Sequence, residues 1–220
     1  MKWEHYFSIY DRHFNRFRGK PVRILEIGVY KGGGLDLWRD YFGPDATITG
    51  IDIFDAAKEL ESPGTDIIIC DQSNTANLER IFSKREPYDI IIDDGGHTMT
   101  QQIGSLKGLF PLLAPNGVYL IEDMHTAYWS KFEGGLRNPS SSIEFIKKLI
   151  DYVNIDHFRE PDMQQLYGPL KKSLKEQLIS CSFYDSICVL EKGDKTPKRA
   201  NHYHGNGRVE IAGTSNEIYS

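Results

Sequence analysis

Five apolar runs, at 22–29, 46–53, 65–71, 88–94 and 117–123, alternate with helical patterning at 35–42, 74–85 and 98–113. Runs this short and this apolar read as strands buried on both faces, and strands separated by helices run parallel. The pattern predicts an α/β fold with a doubly wound, mostly parallel, Rossmann-like sheet covered on both sides. With 220 residues, 40% of them hydrophobic, the chain has length for one well-buried domain.

The segments outside this alternation have their own signals. Residues 1–18 carry Trp3, Tyr6, Phe7, Tyr10, Phe14 and Phe17 at spacings of three and four, an amphipathic helix with an aromatic face. That face is expected to pack on the sheet; a subunit contact, and hence a homo-oligomer, or a cover over a cofactor are the other uses for it. The long connection 124–140, with Tyr128, Trp129, Phe132, Gly134 and Gly135, is a candidate substrate lid or a packed irregular loop. Helical patterning returns at 142–152 and 162–177, and 178–192 reads as an antiparallel hairpin around Tyr184-Asp185-Ser186 at the sheet edge. The expected organisation is one domain over 1–192 and a polar, mobile tail over 193–220, in which His202 and His204 are expected to be solvated rather than to bind metal.

Charge and cysteine usage narrow the function classes. A net charge of -5 with no basic stripe argues against a nucleic-acid partner. No apolar stretch reaches the ~20 residues of a membrane span, and the start Met1-Lys2-Trp3-Glu4-His5 lacks a secretory core. The three cysteines form no CxxC, so neither a disulfide framework nor a zinc site is expected, and a reducing, cytoplasmic setting is.

Open parallel sheets bind ligands beyond the carboxyl ends of their strands, and polar residues gather there in this chain. Ile24-Leu25-Glu26-Ile27-Gly28 runs into Val29-Tyr30-Lys31-Gly32-Gly33-Gly34, a strand followed by a glycine-rich turn and a helix whose free N–H groups suit an anionic group. In a dinucleotide fingerprint the second glycine would stand at Tyr30, so a ligand without pyrophosphate is expected, which disfavours an NAD-dependent oxidoreductase. Asp52 ends the second run where an acid can accept ribose hydroxyls, and Asp71-Gln72 ends the third where polar groups can read an adenine edge. Each acid alone could cap a helix; together with Glu26, Gly28 and Gly32 they predict a nucleoside cofactor.

The fourth and fifth runs end in Asp93-Asp94-Gly95-Gly96-His97 and Glu122-Asp123. If these strands are neighbours their tips lie ~5 Å apart, and Asp94, Glu122 and Asp123 would repel one another unless a hard cation such as Mg²⁺ sits among them. Helix caps plus an exposed acid are the alternative, and the metal reading requires that no lysine or arginine already neutralises the cluster. Asp93, pointing opposite to Asp94, is expected to face the amino acid portion of the cofactor. His97 precedes Thr98-Met99-Thr100-Gln101, a capping box, and the positive helix end should keep its ring neutral, available as a general base. His125, Tyr128 and Trp129 are candidate acceptor contacts.

The series Glu26-x-Gly28, Asp52, Asp71 and Asp93 resembles the class I methyltransferases that use S-adenosylmethionine, over about residues 20–192. Asp71-Gln72-Ser73, Asp93-Asp94-Gly95-Gly96-His97, Ile121-Glu122-Asp123 and Phe183-Tyr184-Asp185-Ser186 are similar to the metal-dependent sugar O-methyltransferases of macrolide biosynthesis, of the mycinamicin and macrocin type, and to the cephalosporin hydroxylase-like group. The resemblance implies a seven-stranded sheet, S-adenosyl-L-methionine as donor, Mg²⁺ (or Mn²⁺ or Ca²⁺) held by Asp94, Glu122 and Asp123, and His97 as base. Gly96 stands where serine is frequent, and the chain is expected to lack the additional N-terminal domain of the mycinamicin-type enzyme. The expected activity is O-methylation of a sugar hydroxyl on a glycosylated natural product or polysaccharide precursor. A catechol-type O-methyltransferase and a non-catalytic nucleoside-binding module are the alternatives.

Overall fold

The computed structural model describes residues 2–158, 172–194, 199–203 and 209–214. A seven-stranded sheet forms its centre, built from β1 Arg23–Ile27, β2 Thr47–Asp52, β3 Thr65–Ile69, β4 Tyr88–Asp93, β5 Leu113–Ile121, β6 Leu178–Phe183 and β7 Cys188–Lys192. The order is β3-β2-β1-β4-β5-β7-β6; the first five strands are parallel, and β7 is antiparallel to both β5 and β6. The order reverses between β1 and β4, so the crevice beyond these two strands is where a ligand is expected.

Alternation of side chains along each strand sorts the core into two layers. Leu25, Ile27, Ile91, Tyr119 and Ile121 pack with Leu78 and Phe82 of α3 (Thr75–Phe82), Leu106 and Leu109 of α4 (Met99–Leu109), and Ile146 and Leu149 of α5 (Ser142–Val153). Ile24, Ile48, Ile90, Ile92, Val118 and Leu120 pack on the opposite side with α1 (Tyr6–Phe14) and α2 (Gly33–Phe42). The aromatic face of α1 thus packs inward: Tyr6, Tyr10 and Phe14 are buried, Tyr10 and Phe14 edge-on to Trp38 and Phe14 tilted on Phe42.

The connection 124–140 is tied to the body at several points, while Tyr128, Trp129 and Leu136 are exposed. It holds two short 3-10 turns, Met124–Tyr128 and Ser130–Phe132, and Glu133 accepts hydrogen bonds from the N–H and hydroxyl of Thr100 at the start of α4. The hairpin expected over 178–192 is present as β6 and β7, and Ser186 in its turn has φ 63°. Of the helix expected at 162–177, Lys172–Gln177 (α6) is observed and the rest falls outside the described residues. The tail departs from expectation, because β8 (Arg199–Tyr203) and β9 (Val209–Thr214) pair antiparallel in a separate two-stranded sheet. Their apolar alternation is only Val209 and Ile211, too short to be recognised as a strand. His204 lies outside the described residues. No helix among the described residues is long and apolar enough to cross a membrane.

Candidate active site

Beyond β1 the backbone turns on glycine for steric reasons. Gly28 has φ +86°, and a Cβ there would collide with the Asp94 carbonyl, so β1 and the turn after β4 touch only because this side chain is missing. Gly32, at φ +85°, is the residue before α2. A Cβ at Gly34 would strike the Glu26 carboxylate, which is buried under the start of α2. The turn therefore brings α2 down onto Glu26 and leaves a cleft beside it.

That cleft, of about 210 Å³, is lined by Gly28, Tyr30, Asp52, Asp71, Gln72, Asp94 and Gln101, so every strand end from β1 to β4 contributes. Asp52 accepts from the N–H groups of Val29 and Tyr30 through Oδ2 and from Phe54 through Oδ1, which ties the glycine turn to β2. Asp71 accepts from the N–H and hydroxyl of Ser73. Gln72 is buried; it donates to Asp93 and Ser105 and accepts from the Gly96 N–H. An open groove of small backbone and strand-end acids fits a nucleoside-bearing cofactor.

Asp93 does not line the cleft. It shares the sheet face of Ile91 and lies fully buried, 3.0 Å from Gln72 Nε2 and 3.4 Å from the Tyr119 hydroxyl. Burial pushes its carboxyl up to about 6, against the hydrogen bonds that favour the anion. Strand alternation separates Asp93 from Asp94 as expected, but the face assigned to the cofactor is the interior one.

β4 and β5 are neighbours, with Asp93 paired to Ile121, so their two acidic ends do meet. Asp94, His97 and Asp123 each offer one ligand atom, and the three atoms lie within 4.8 Å of one another. His97 Nε2 is 3.8 Å from Asp94 Oδ1 and 3.6 Å from Asp123 Oδ2. The ring is set by the turn that ends in the capping box of Thr98 and Gln101, and its Nδ1 is buried without a hydrogen-bond partner. Carboxylate oxygens this close suit a hard divalent ion with small adjustment, and the His97 nitrogen beside them is either a further donor or a proton acceptor.

Glu122, expected as a third oxygen ligand, is turned elsewhere. It is buried, and its Oε1 accepts from Lys2 Nζ at 2.8 Å and from the Tyr10 hydroxyl at 2.8 Å. Lys2 also donates to Asp94 Oδ2 at 2.7 Å and lies 3.7 Å from Glu26. The requirement that no lysine touch the cluster is thus not met. The neutralisation is partial, because one ammonium serves Glu26, Asp94 and Glu122, and among the described residues no lysine or arginine pairs with Asp123.

The proton affinities follow from that imbalance. Burial raises Glu26 to about 7 and Glu122 to about 8, with Lys2 pulling each the other way. Lys2 itself is raised: three carboxylates around it outweigh the burial that would lower it. The lysine holds its proton firmly, whereas each glutamate has only a share of one ammonium. The site keeps an appetite for further positive charge.

Sequence reasoning missed Lys2, Tyr6 and Tyr10. Tyr6 donates to Asp123 Oδ1 at 2.6 Å and lies 2.9 Å from Ser186 Oγ, from which it accepts, and Ser186 is also bonded to His125 Nδ1. Tyrosine in place of phenylalanine on a buried helix face was the available signal, since each hydroxyl needs a polar partner. Lys2 had none. His125 and Tyr128 line a second cleft, of about 460 Å³, with Met124, Ile150, Phe183 and Asp185. Trp129 packs its half-exposed ring edge-on to His125.

No protein-family model matches the chain. A mycinamicin VI 2''-O-methyltransferase from Micromonospora griseorubida is 36% identical over 196 residues, covering 84% of this chain and 47% of that protein. The chain is homologous to the sugar O-methyltransferases. An 8-demethyl-8-alpha-L-rhamnosyl tetracenomycin-C 2'-O-methyltransferase from Streptomyces olivaceus is 32% identical, covering 91% of this chain and 52% of that one. The solved MycE methyltransferase of mycinamycin biosynthesis, in complex with Mg and SAH, superposes with TM-score 0.77 at 33% identity, covering 88% of this chain and 51% of its own. The same enzyme has been solved with Mg, SAH and mycinamycin VI. The chain spans about half the length of these sugar O-methyltransferases.

Proposed function

We propose that this chain is an S-adenosylmethionine- and Mg²⁺-dependent O-methyltransferase acting on a sugar hydroxyl of a glycosylated small molecule. The observation that carries the reading is the meeting of Asp94, His97 and Asp123 at the mouth of a glycine-lined nucleoside cleft. The homologous enzymes methylate sugars of glycosylated natural products, and the structural relative binds Mg and SAH, which supports the same donor and ion here.

When bound, the sulfonium donor supplies an electrophilic methyl group, and a divalent ion at Asp94 and Asp123 supplies Lewis acidity that makes a sugar hydroxyl more acidic. The protein's own part is to position and to move a proton. Gly28 lets the turn after β4 close on β1 as the floor of the cleft, and Asp52 fixes the glycine turn while its remaining lone pairs can accept from ribose hydroxyls. His97 Nε2, the ring nitrogen nearest the two aspartates, is placed to take the proton of the acceptor hydroxyl. Tyr6 and Ser186 hold Asp123 and His125 along the side that faces the second cleft, where His125 and Tyr128 would meet the acceptor.

The test is transfer of labelled methyl from S-adenosylmethionine to glycosides, free sugars and catechols, with Mg²⁺ or with EDTA. Turnover of glycosides that EDTA abolishes, together with an Asp94→Ala variant that binds S-adenosylhomocysteine but does not turn over, is expected. Full turnover in EDTA would remove the metal from the reading, and a preference for catechols would move the acceptor class.

A further inference from the structure

The segment ahead of α1 lies over the acid cluster, and its contacts there are made by side chains. Lys2 reaches Asp94 and Glu122, Trp3 sets its ring edge-on to His125 at 6.3 Å, and His5 Nε2 lies 3.1 Å from the Asp185 carbonyl. Residues 2–5 belong to no helix or strand, and the residue capping α1, His5, makes no side-chain cap bond. From Tyr6 onward the chain is anchored by buried aromatic rings. The segment is a strap held by charge at Lys2 and joined to α1 where the N–H groups of Tyr6 and Phe7 donate to the Trp3 and Glu4 carbonyls.

Asp94 divides its oxygens between two cationic positions: Oδ2 receives the Lys2 ammonium, while Oδ1 faces His97 in the group that could hold a metal. Two cations on one partly exposed carboxylate repel each other, and Lys2 and Tyr10 hold Glu122 Oε1 away from the group of Asp94, His97 and Asp123. Resting on the metal reading above, we propose that residues 2–5 are a releasable strap in which the Lys2 ammonium competes with the divalent ion. It holds Asp94 and Glu122 in the metal-free protein, and metal binding expels it and lifts Trp3 from His125, freeing Glu122 for the ion and uncovering the acceptor side.

Mn²⁺ binding, followed by the paramagnetic resonance signal of the free ion, tests this without turnover. Lys2→Met should bind Mn²⁺ at least tenfold tighter than the unaltered chain, and Lys2→Arg should not. In a Trp129→Phe background, with Trp38 buried, Mg²⁺ should change the intensity of Trp3 emission as its already half-exposed ring leaves His125, and raise its quenching by acrylamide. This second readout uses the native lysine and stands even if Lys2→Met fails to fold. Equal or weaker Mn²⁺ binding by a folded Lys2→Met, or Trp3 emission indifferent to saturating Mg²⁺, would make Lys2 a fixed counter-charge and overturn the strap. If neither chain binds Mn²⁺, the metal site itself is wrong and the strap falls with it.

Discussion

Glu122→Gln should flatten the pH dependence of stability in the metal-free protein. The folded protein holds the Glu122 proton more tightly than the unfolded chain does, because burial raises this carboxyl from 4.5 to about 8. A raised folded-state value means that its contribution is fully present below the unfolded value and is lost as pH climbs to the folded one. At about 1.4 kcal/mol for each tenfold change in proton affinity, the whole loss is about 5 kcal/mol, of which about 3 kcal/mol falls between about pH 5.5 and about pH 8.5. Glutamine occupies nearly the same volume and carries no proton to lose. Glu26 and Asp93, raised to about 7 and about 6, titrate in both chains and largely cancel in the comparison.

Thermal unfolding followed by circular dichroism in chelator-treated buffer reads the difference. Between about pH 5.5 and about pH 8.5 the lead of the glutamine variant in melting temperature should widen by roughly 6–12 °C, taking ~2–4 °C per kcal/mol for a protein of this size. Melting temperatures that stay parallel over the whole range would mean that Lys2 and Tyr10 compensate Glu122 fully. The charge imbalance inferred for the site would then be refuted.

His97→Ala should lower kcat by about 10²–10⁴ while leaving Mn²⁺ affinity within a few-fold, as expected for a proton acceptor; a collapse of Mn²⁺ affinity in the same titration would make His97 a ligand instead. Gly34→Ala should destabilise the fold by about 1–3 kcal/mol in urea unfolding, because its Cβ has to displace the Glu26 carboxylate. Adding Glu26→Ala should recover part of that loss, and strictly additive effects would show that the two positions do not press on each other.

The parallel sheet was legible because its signal is local: each strand is a short apolar run, and each helix between them has its own periodicity. The helix after His97 was legible for the same reason, since Thr98 and Gln101 are three residues apart and form the capping box that spacing predicts. The meeting of Asp94 with Asp123 required only that β4 and β5 be neighbours, which consecutive parallel strands often are. What escaped was long-range or a matter of side. Alternation separates Asp93 from Asp94, but nothing in one strand says which face looks into the crevice and which into the layer under α4, where Gln72 and Tyr119 take Asp93. Lys2 belongs to no motif, and its partners lie 92 and 120 positions away.

Missing Lys2 changes the electrostatics of the site more than missing another wall residue would. Glu26 and Glu122 are almost fully buried, and ionised carboxylates in such places cost several kcal/mol each unless a cation compensates them. On the proposed metal role, Asp94 and Glu122 serve a divalent ion and Lys2 is the cation that compensates them in its absence. A lysine on a segment outside the sheet meets that need better than one on a strand. On a strand it would be a permanent competitor, whereas ahead of α1 its hold depends on a few side-chain contacts that the incoming ion can outweigh. The same reasoning explains the two tyrosines of α1. Their hydroxyls hold Glu122 and Asp123 without adding charge, so an incoming ion meets no second cation there.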